Sequence, residues 1–249
     1  PAFSGIDNQY MAIGENGYYF QLNHFLFFAD RETMNIVPLC NRPNCRHHEE
    51  TNDYEVWKCN AYVGEGYPFL QFYQEKLYTM SYFNADAAGN KIESRLVELS
   101  PDGSNRKRLI QIPQYAYPFI HRGYLYYIEQ LGGKAQQLKR RSLSQLDKEP
   151  EVVFTGSDGA FSVSSPAAYG NRIYIEQLRA DEETHDLYTE LYQYNIQTRE
   201  ISRIHVEDEE LLSSVSLKTV SQEGDLVLSV FHPSTIQYDE ETGNMLELG

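Results

Sequence analysis

A chain of 249 residues can bury a sizeable core, and this length suits one large all-β domain as well as two smaller ones. Its 36 Asp and Glu exceed its 21 Lys and Arg, giving a formal net charge of −15 that repels polyanions and argues against nucleic acid as a partner. Its positive charges form no block beyond "RKR" at Arg106 to Arg108 and "KRR" at Lys139 to Arg141, and no run of about 18 apolar residues provides a membrane-spanning helix.

The chain opens "PAFSGIDNQY", with neither an initiator Met nor the basic-then-apolar profile of a leader. Such an opening is expected of an exported protein that has lost its leader, or of a chain cut at a domain edge. Aromatic residues then recur in short alternating runs: "GYYFQL", "HFLFFAD", "EKLYTMSYF", "GYLYYIEQL", "NRIYIEQL" and "LYTELYQYN". Flat, stiff side chains suit a pleated surface, and Gly, Asn, Asp or Pro bounds each run, so these segments predict strands separated by turns. The segment "LSQLDKEPEVV" could be taken for a helix, but Pro150 would break it.

The runs repeat. "AD-RET-MNIVPL" from Ala29, "YN-IQT-REISRI" from Tyr194 and "YD-EET-GNMLEL" from Tyr238 share one register of strand, polar turn and strand. "LS-PDG-SNRKRLI" from Leu99 fits the same frame, and "LS-QLD-KEPEVVF" from Leu143 fits it more loosely. The last turn residues, Thr33, Gly103, Asp147, Thr198 and Thr242, are spaced by 70, 44, 51 and 44. The long interval contains an insertion over residues 41–66, and without it the repeat is ~45 residues, the period of a propeller blade. A pair of β-sandwiches would not show that period.

The expected fold is therefore all-β: a single β-propeller domain over 1–249, built of four-stranded antiparallel blades. About five blades are expected, near 10–40, 67–113, 115–156, 163–206 and 212–249, with a Cys/His-containing loop inserted after the first. The chain ends "NMLELG" in strand-like sequence, which leaves room for further blades in a longer protein. The acidic run "EDEELL" from Glu207 is expected as an exposed connector between units four and five.

All three cysteines lie in "LCNRPNCRHHEETNDYEVWKCNAY", residues 39–62. Cys40, Cys45, His47 and Cys59 supply the four thiolate and imidazole donors of a tetrahedral zinc site, and a full protein ligand set makes such a site structural. His47 is chosen over His48 because one imidazole suffices. "RPNC" provides a turn that returns Cys45 toward Cys40. Two other readings remain open: a disulfide with one thiol left over, and a Cys nucleophile with a His base. Tyr54 and Trp57 are the loop's exposed aromatic candidates for ligand binding.

The run "PLCNRPNCRHH", the later "CNAY" and the preceding "GYYFQLNHFLFFADRETMNIV" resemble a group of exported, often lipid-anchored β-propeller-like proteins of anaerobic Gram-positive bacteria, mostly of unknown function. More distantly the blades resemble TolB-like propellers, which act in protein contacts. The resemblance carries Cys40, Cys45, His47 and Cys59 over as a set. It implies a cell-surface or extracellular location, a lipid anchor lost with the leader, and protein or carbohydrate partners at the cell surface.

Elsewhere, Glu129 and Glu176 occupy the same place in two copies of "YIEQL", which predicts a repeated structural role. His24, His121, His185, His205 and His232 have no partner at ligand or triad spacing. No Walker loop, GxSxG or HExxH occurs. The expected function is a non-enzymatic extracytoplasmic binding or scaffold propeller with a structural metal-stabilised loop. The alternative is a carbohydrate-active enzyme, five-bladed and glycosidase-like, using carboxylates at the central channel.

Overall fold

The structure is a computed structural model that describes residues 3–4, 10–45, 47, 59–64, 69–84, 92–113, 116–131, 136–157, 160–180, 183, 187–205, 215–221, 223–230, 237–238 and 245–246. Among these residues there is no helix, and the strands form antiparallel sheets in repeating units. Unit one joins β2 (Met11–Ile13), β3 (Gly17–Leu22), β4 (Phe25–Asp30) and β5 (Ile36–Pro38); β1 (Phe3–Ser4) lies elsewhere. Unit two joins β6 (Leu70–Tyr73), β7 (Lys76–Asn84), β8 (Ile92–Leu99) and β9 (Arg106–Gln111). Unit three joins β10 (Phe119–His121), β11 (Tyr124–Gln130), β12 (Gln136–Ser142) and β13 (Glu151–Thr155). Unit four contains β14 (Ala160–Tyr169), β15 (Arg172–Ala180), β16 (Leu187–Asn195) and β17 (Ile201–Ile204). Two hairpins follow: β18 (Val215–Val220) with β19 (Leu226–Val230), and β20 (Gln237–Tyr238) with β21 (Met245–Leu246).

This is the all-β, roughly five-bladed architecture expected from the repeat, with two departures from uniform four-stranded blades. β1 pairs with β14, Phe3 opposite Ala168, so unit four has five strands. The fifth unit is two separate hairpins among the described residues, because no ladder there joins β19 to β20.

The repeated turns follow from local chemistry. Between β4 and β5, Asp30 Oδ1 accepts hydrogen bonds from the Glu32 and Thr33 N–H groups, at 3.1 and 2.8 Å. Between β16 and β17, Asn195 Oδ1 does the same for Gln197 and Thr198, at 2.9 and 3.3 Å. A short polar side chain that binds its own backbone two and three residues on replaces the ladder bonds lost at the turn. Met34 and Arg199 then enter the left-handed region at φ 57° and 63° to start the next strand.

First strands of successive units lie against one another: β2 against β6, β6 against β10, and β14 against β18. Polar side chains join them. The Gln71 amide accepts from Ile120 N–H and donates to Ile120 C=O, both at 2.7 Å, which copies strand pairing with a side chain. Gln136 Oε1 accepts from Val163 N–H at 2.7 Å, and Glu176 Oε1 accepts from Leu217 N–H. Buried backbone groups at the unit boundaries thereby keep the partners that burial demands. Apolar clusters fill the space between sheets: Leu26, Leu77, Val97 and Leu99 between units one and two, and Phe119, Tyr126, Ile173 and Ile175 between units three and four.

Glu129 and Glu176 do not share one role. Glu129 pairs across the sheet with Lys139, whereas Glu176 reaches the backbone of the next unit and its burial holds the carboxyl above its usual range. The two words "YIEQL" are alike, but what packs over each is set by different neighbouring units. His121, buried at 4% exposure, donates from Nε2 to the Gly170 carbonyl at 2.9 Å, and burial pushes its pKa down, so it is a packed neutral histidine.

Candidate metal centre

Three segments converge where unit one meets unit two. Cys40 follows β5 and is held through the residue before it: Leu39 N–H bonds to the Leu26 carbonyl at 2.9 Å, and Leu39 itself is buried. The turn expected in "RPNC" is present, with Asn44 in the left-handed region at φ 61°, and Cys45 N–H returns to the Arg42 carbonyl at 3.4 Å. Cys59 begins an arm, residues 59–64, that runs between the two sheets. Leu26 N–H bonds to Ala61 C=O, Val63 N–H to His24 C=O, and Tyr82 N–H to Val63 C=O, at 2.8 to 2.9 Å.

The donor atoms of Cys40, Cys45, His47 and Cys59 all lie within 4.8 Å of one another. His47 Nδ1 is 3.5 Å from Cys59 Sγ. A zinc tetrahedron with bonds of about 2.3 Å to sulfur and about 2.0 Å to nitrogen has N···S edges of about 3.5 Å and S···S edges of about 3.8 Å. The four residues therefore fit a small divalent ion after contraction of the longer edges.

The thiols are not equivalent. Burial pushes Cys40 up, but N–H groups of Arg42 and Asn60 and the neighbouring Cys59 and Cys45 thiols outweigh it, leaving its pKa below the usual value. Burial raises Cys45, and burial together with the Cys40 charge pushes Cys59 up to about 12. Three thiolates at this spacing repel one another, so full ionisation requires a cation among them. All three cysteines are free thiols, in contrast to the paired-cysteine reading. Cys59 is 3% exposed with a high pKa, which is the opposite of an activated nucleophile. His48, Tyr54 and Trp57 lie outside the described residues.

Unit two supplies what the sequence reading did not find. Gly103, in the β8–β9 turn, sits against the Leu39–Cys40 backbone, and its carbonyl accepts from Asn60 Nδ2 at 2.7 Å. Arg106 Nη1 donates to the carbonyls of Cys59, at 3.1 Å, and Tyr62, while Nη2 donates to the buried Ser81 hydroxyl at 2.8 Å. Burial and the nearby Arg108 draw its pKa down to about 10, against the opposing pull of Cys59. In the sequence this residue reads only as the start of the basic "RKR".

A separate cavity of about 460 Å³ opens between unit two and the turn of unit three. Lys76, Tyr78, Glu98, Lys107, Arg108 and Asp147 are among its lining residues. Lys76 pairs with Glu98 at 2.8 Å, and Tyr78 donates to the same carboxylate at 3.2 Å.

No protein-family model and no curated protein matches the chain. Among solved structures, it is similar to the endo-arabinase of Bacteroides thetaiotaomicron, at 10% identity and a TM-score of 0.42, over 94% of each chain. It is similar to the xylan beta-1,4-xylosidase of Bacillus halodurans at 11% identity and a TM-score of 0.40, over 88% of this chain and 47% of that one. With the acylaminoacyl peptidase of Pyrococcus horikoshii it shares 14% identity and a TM-score of 0.44, over 67% of this chain. The alignment spans only 28% of the peptidase.

Proposed function

We propose that the protein is a non-enzymatic binding or scaffold propeller acting outside the cytoplasm, with its inserted loop held by a structural zinc ion. The metal reading rests on one observation: three free thiols and an imidazole lie within 4.8 Å at the junction of two units. With every tetrahedral position filled by protein, no open site remains for a substrate or an activated water, so the ion ties the loop to the core. The extracytoplasmic setting rests on the resemblance to exported propellers, and the partner is a protein or carbohydrate at the cell surface.

Binding is favoured over hydrolysis because the first strands β2, β6, β10, β14 and β18 carry no Asp or Glu, whereas glycoside hydrolysis needs a pair of carboxylates facing one sugar. The second reading, a carbohydrate-active enzyme, draws on Glu176. Its carboxyl, held protonated more readily than usual by burial, lies within 3.2 Å of Ser164 on β14, and a general acid needs such a raised pKa. Metal analysis of natively purified protein tests the first reading: about one zinc per chain is expected, lost in Cys59→Ala. A metal-free protein with a Cys40–Cys45 disulfide by mass spectrometry overturns it. Turnover of soluble glycans that disappears in Glu176→Gln would select the second reading.

A further inference from the structure

Among the described residues, Arg106 is a cation without the carboxylate partner that burial normally requires. Its guanidinium is packed between the 59–64 arm and Ser81, its Nε is buried without a hydrogen-bond acceptor, and no carboxylate pairs with it among the described residues. A buried charge of this kind is tolerated only beside a counter-charge. Its Nη1 lies 3.1 Å from the carbonyl of Cys59, and burial, Arg108 and Arg42 oppose its charge while the Cys59 and Cys40 thiols favour it.

The centre has the complementary imbalance. A divalent ion held by three thiolates and one neutral imidazole is left with one negative charge, at a site where Cys59 is 3% exposed and the other three ligands are half-buried. We propose that Arg106 is the built-in counter-ion of the metal centre, neutralising its excess charge while its hydrogen bonds to the Cys59 and Tyr62 carbonyls hold the last ligand in place. This inference rests on the zinc reading of the loop. It makes Arg106 a positioning residue with an electrostatic share: the fork fixes the ligand arm, and the charge offsets the excess negative charge of the occupied centre. It also links unit two to metal occupancy, because Arg106 is the first residue of β9 and the ligands come from the loop before that unit.

A charge-swap cycle read with zinc alone, by competition against a chromophoric chelator, separates charge from mere packing. Arg106→Gln keeps a donor for the carbonyls and removes the charge. It is expected to weaken zinc binding about 10–100-fold, the range for losing a group that supports metal ligands. Cys45→His gives a site with two thiolates and two imidazoles, which is neutral with a divalent ion. In that background Arg106→Gln is expected to change affinity less than about threefold, within the scatter of such comparisons. Arg106→Lys, which keeps the charge without the fork, should lie between wild type and Arg106→Gln. Cobalt substitution provides a second readout, since at a fixed subsaturating cobalt concentration the sulfur-to-cobalt absorption should fall in Arg106→Gln as affinity falls.

If the wild-type protein takes up no zinc, the metal reading fails and this inference falls with it. If wild type binds zinc but Arg106→Gln binds equally well, the inference alone fails. A loss of the same size in the Cys45→His background also overturns it, because the role is then structural. Arg106→Lys binding no better than Arg106→Gln in the Cys3His site, with both folded by circular dichroism, overturns the charge argument as well.

Discussion

Replacing Gly103 by Ala tests how unit two supports the candidate metal loop. Gly103 has φ 69°, and a Cβ built there would lie 2.6 Å from the carbonyl carbon and oxygen of Leu39 and 2.8 Å from the Cys40 nitrogen. All three are backbone atoms, so no side-chain rotation relieves the overlap. Two penalties add. An L-residue in the left-handed region costs about 1–2 kcal/mol, and forcing an extra methyl into a filled space costs about 1–3 kcal/mol. Gly103→Ala is therefore expected to lose about 2–5 kcal/mol. Gly123, at φ 81° with no atom within 4 Å of its added Cβ, isolates the first penalty, so Gly123→Ala should lose only about 1–2 kcal/mol. Urea unfolding of the two variants gives the steric part by difference, about 1–3 kcal/mol. The backbone that must yield carries Cys40, so Gly103→Ala should also weaken zinc binding while Gly123→Ala leaves it unchanged. Equal destabilisation of the two variants would refute the close approach, and unchanged zinc affinity in Gly103→Ala would refute its coupling to the site.

The remaining predictions concern the contacts between units. Gln71→Met removes the partner of both backbone groups of Ile120, which is 1% exposed, and should cost about 2–4 kcal/mol in urea unfolding. A loss under about 1 kcal/mol would show that water takes over both bonds. Glu176 has a folded pKa raised above the ordinary 4.5, so the native state holds its proton more tightly than the unfolded chain. Its contribution is fully present below that ordinary value and is lost as pH rises through the raised one. Glu176→Gln, which still offers an oxygen to Leu217 N–H, should match wild type near pH 4 and equal or exceed it near pH 7, roughly the two ends of this linkage. A wild-type advantage that grows with pH would mean that the ionised carboxylate is the stabilising form.

Much of the fold is legible because it is coded between neighbours. The turn after β4 and the turn after β16 share a register because Asp30 and Asn195 each bind N–H groups two and three residues on. A segment carries that information within itself, and the repetition across the chain exposed the units. The clustering of the four candidate donors was legible for a related reason: Cys40, Cys45, His47 and Cys59 have side chains with few other uses in such close spacing.

What connects the units was not legible. Nothing near Phe3 or Ser4 indicates that they pair with Ala168 and Ala167, which turns a four-stranded sheet into a five-stranded one. Gly103 reads as a turn glycine, and only the approach of Leu39 and Cys40 makes it a support for the ligands. Arg106 reads as one of three basic residues in a row, yet its guanidinium faces the arm that carries Cys59. The sequence by itself determined the strands, their turns and the candidate donor set, because each depends on a few adjacent residues. The tertiary structure decided which backbone encloses the ligands and which charge faces them, because those partners lie 40 or more residues apart and meet only when sheets pack.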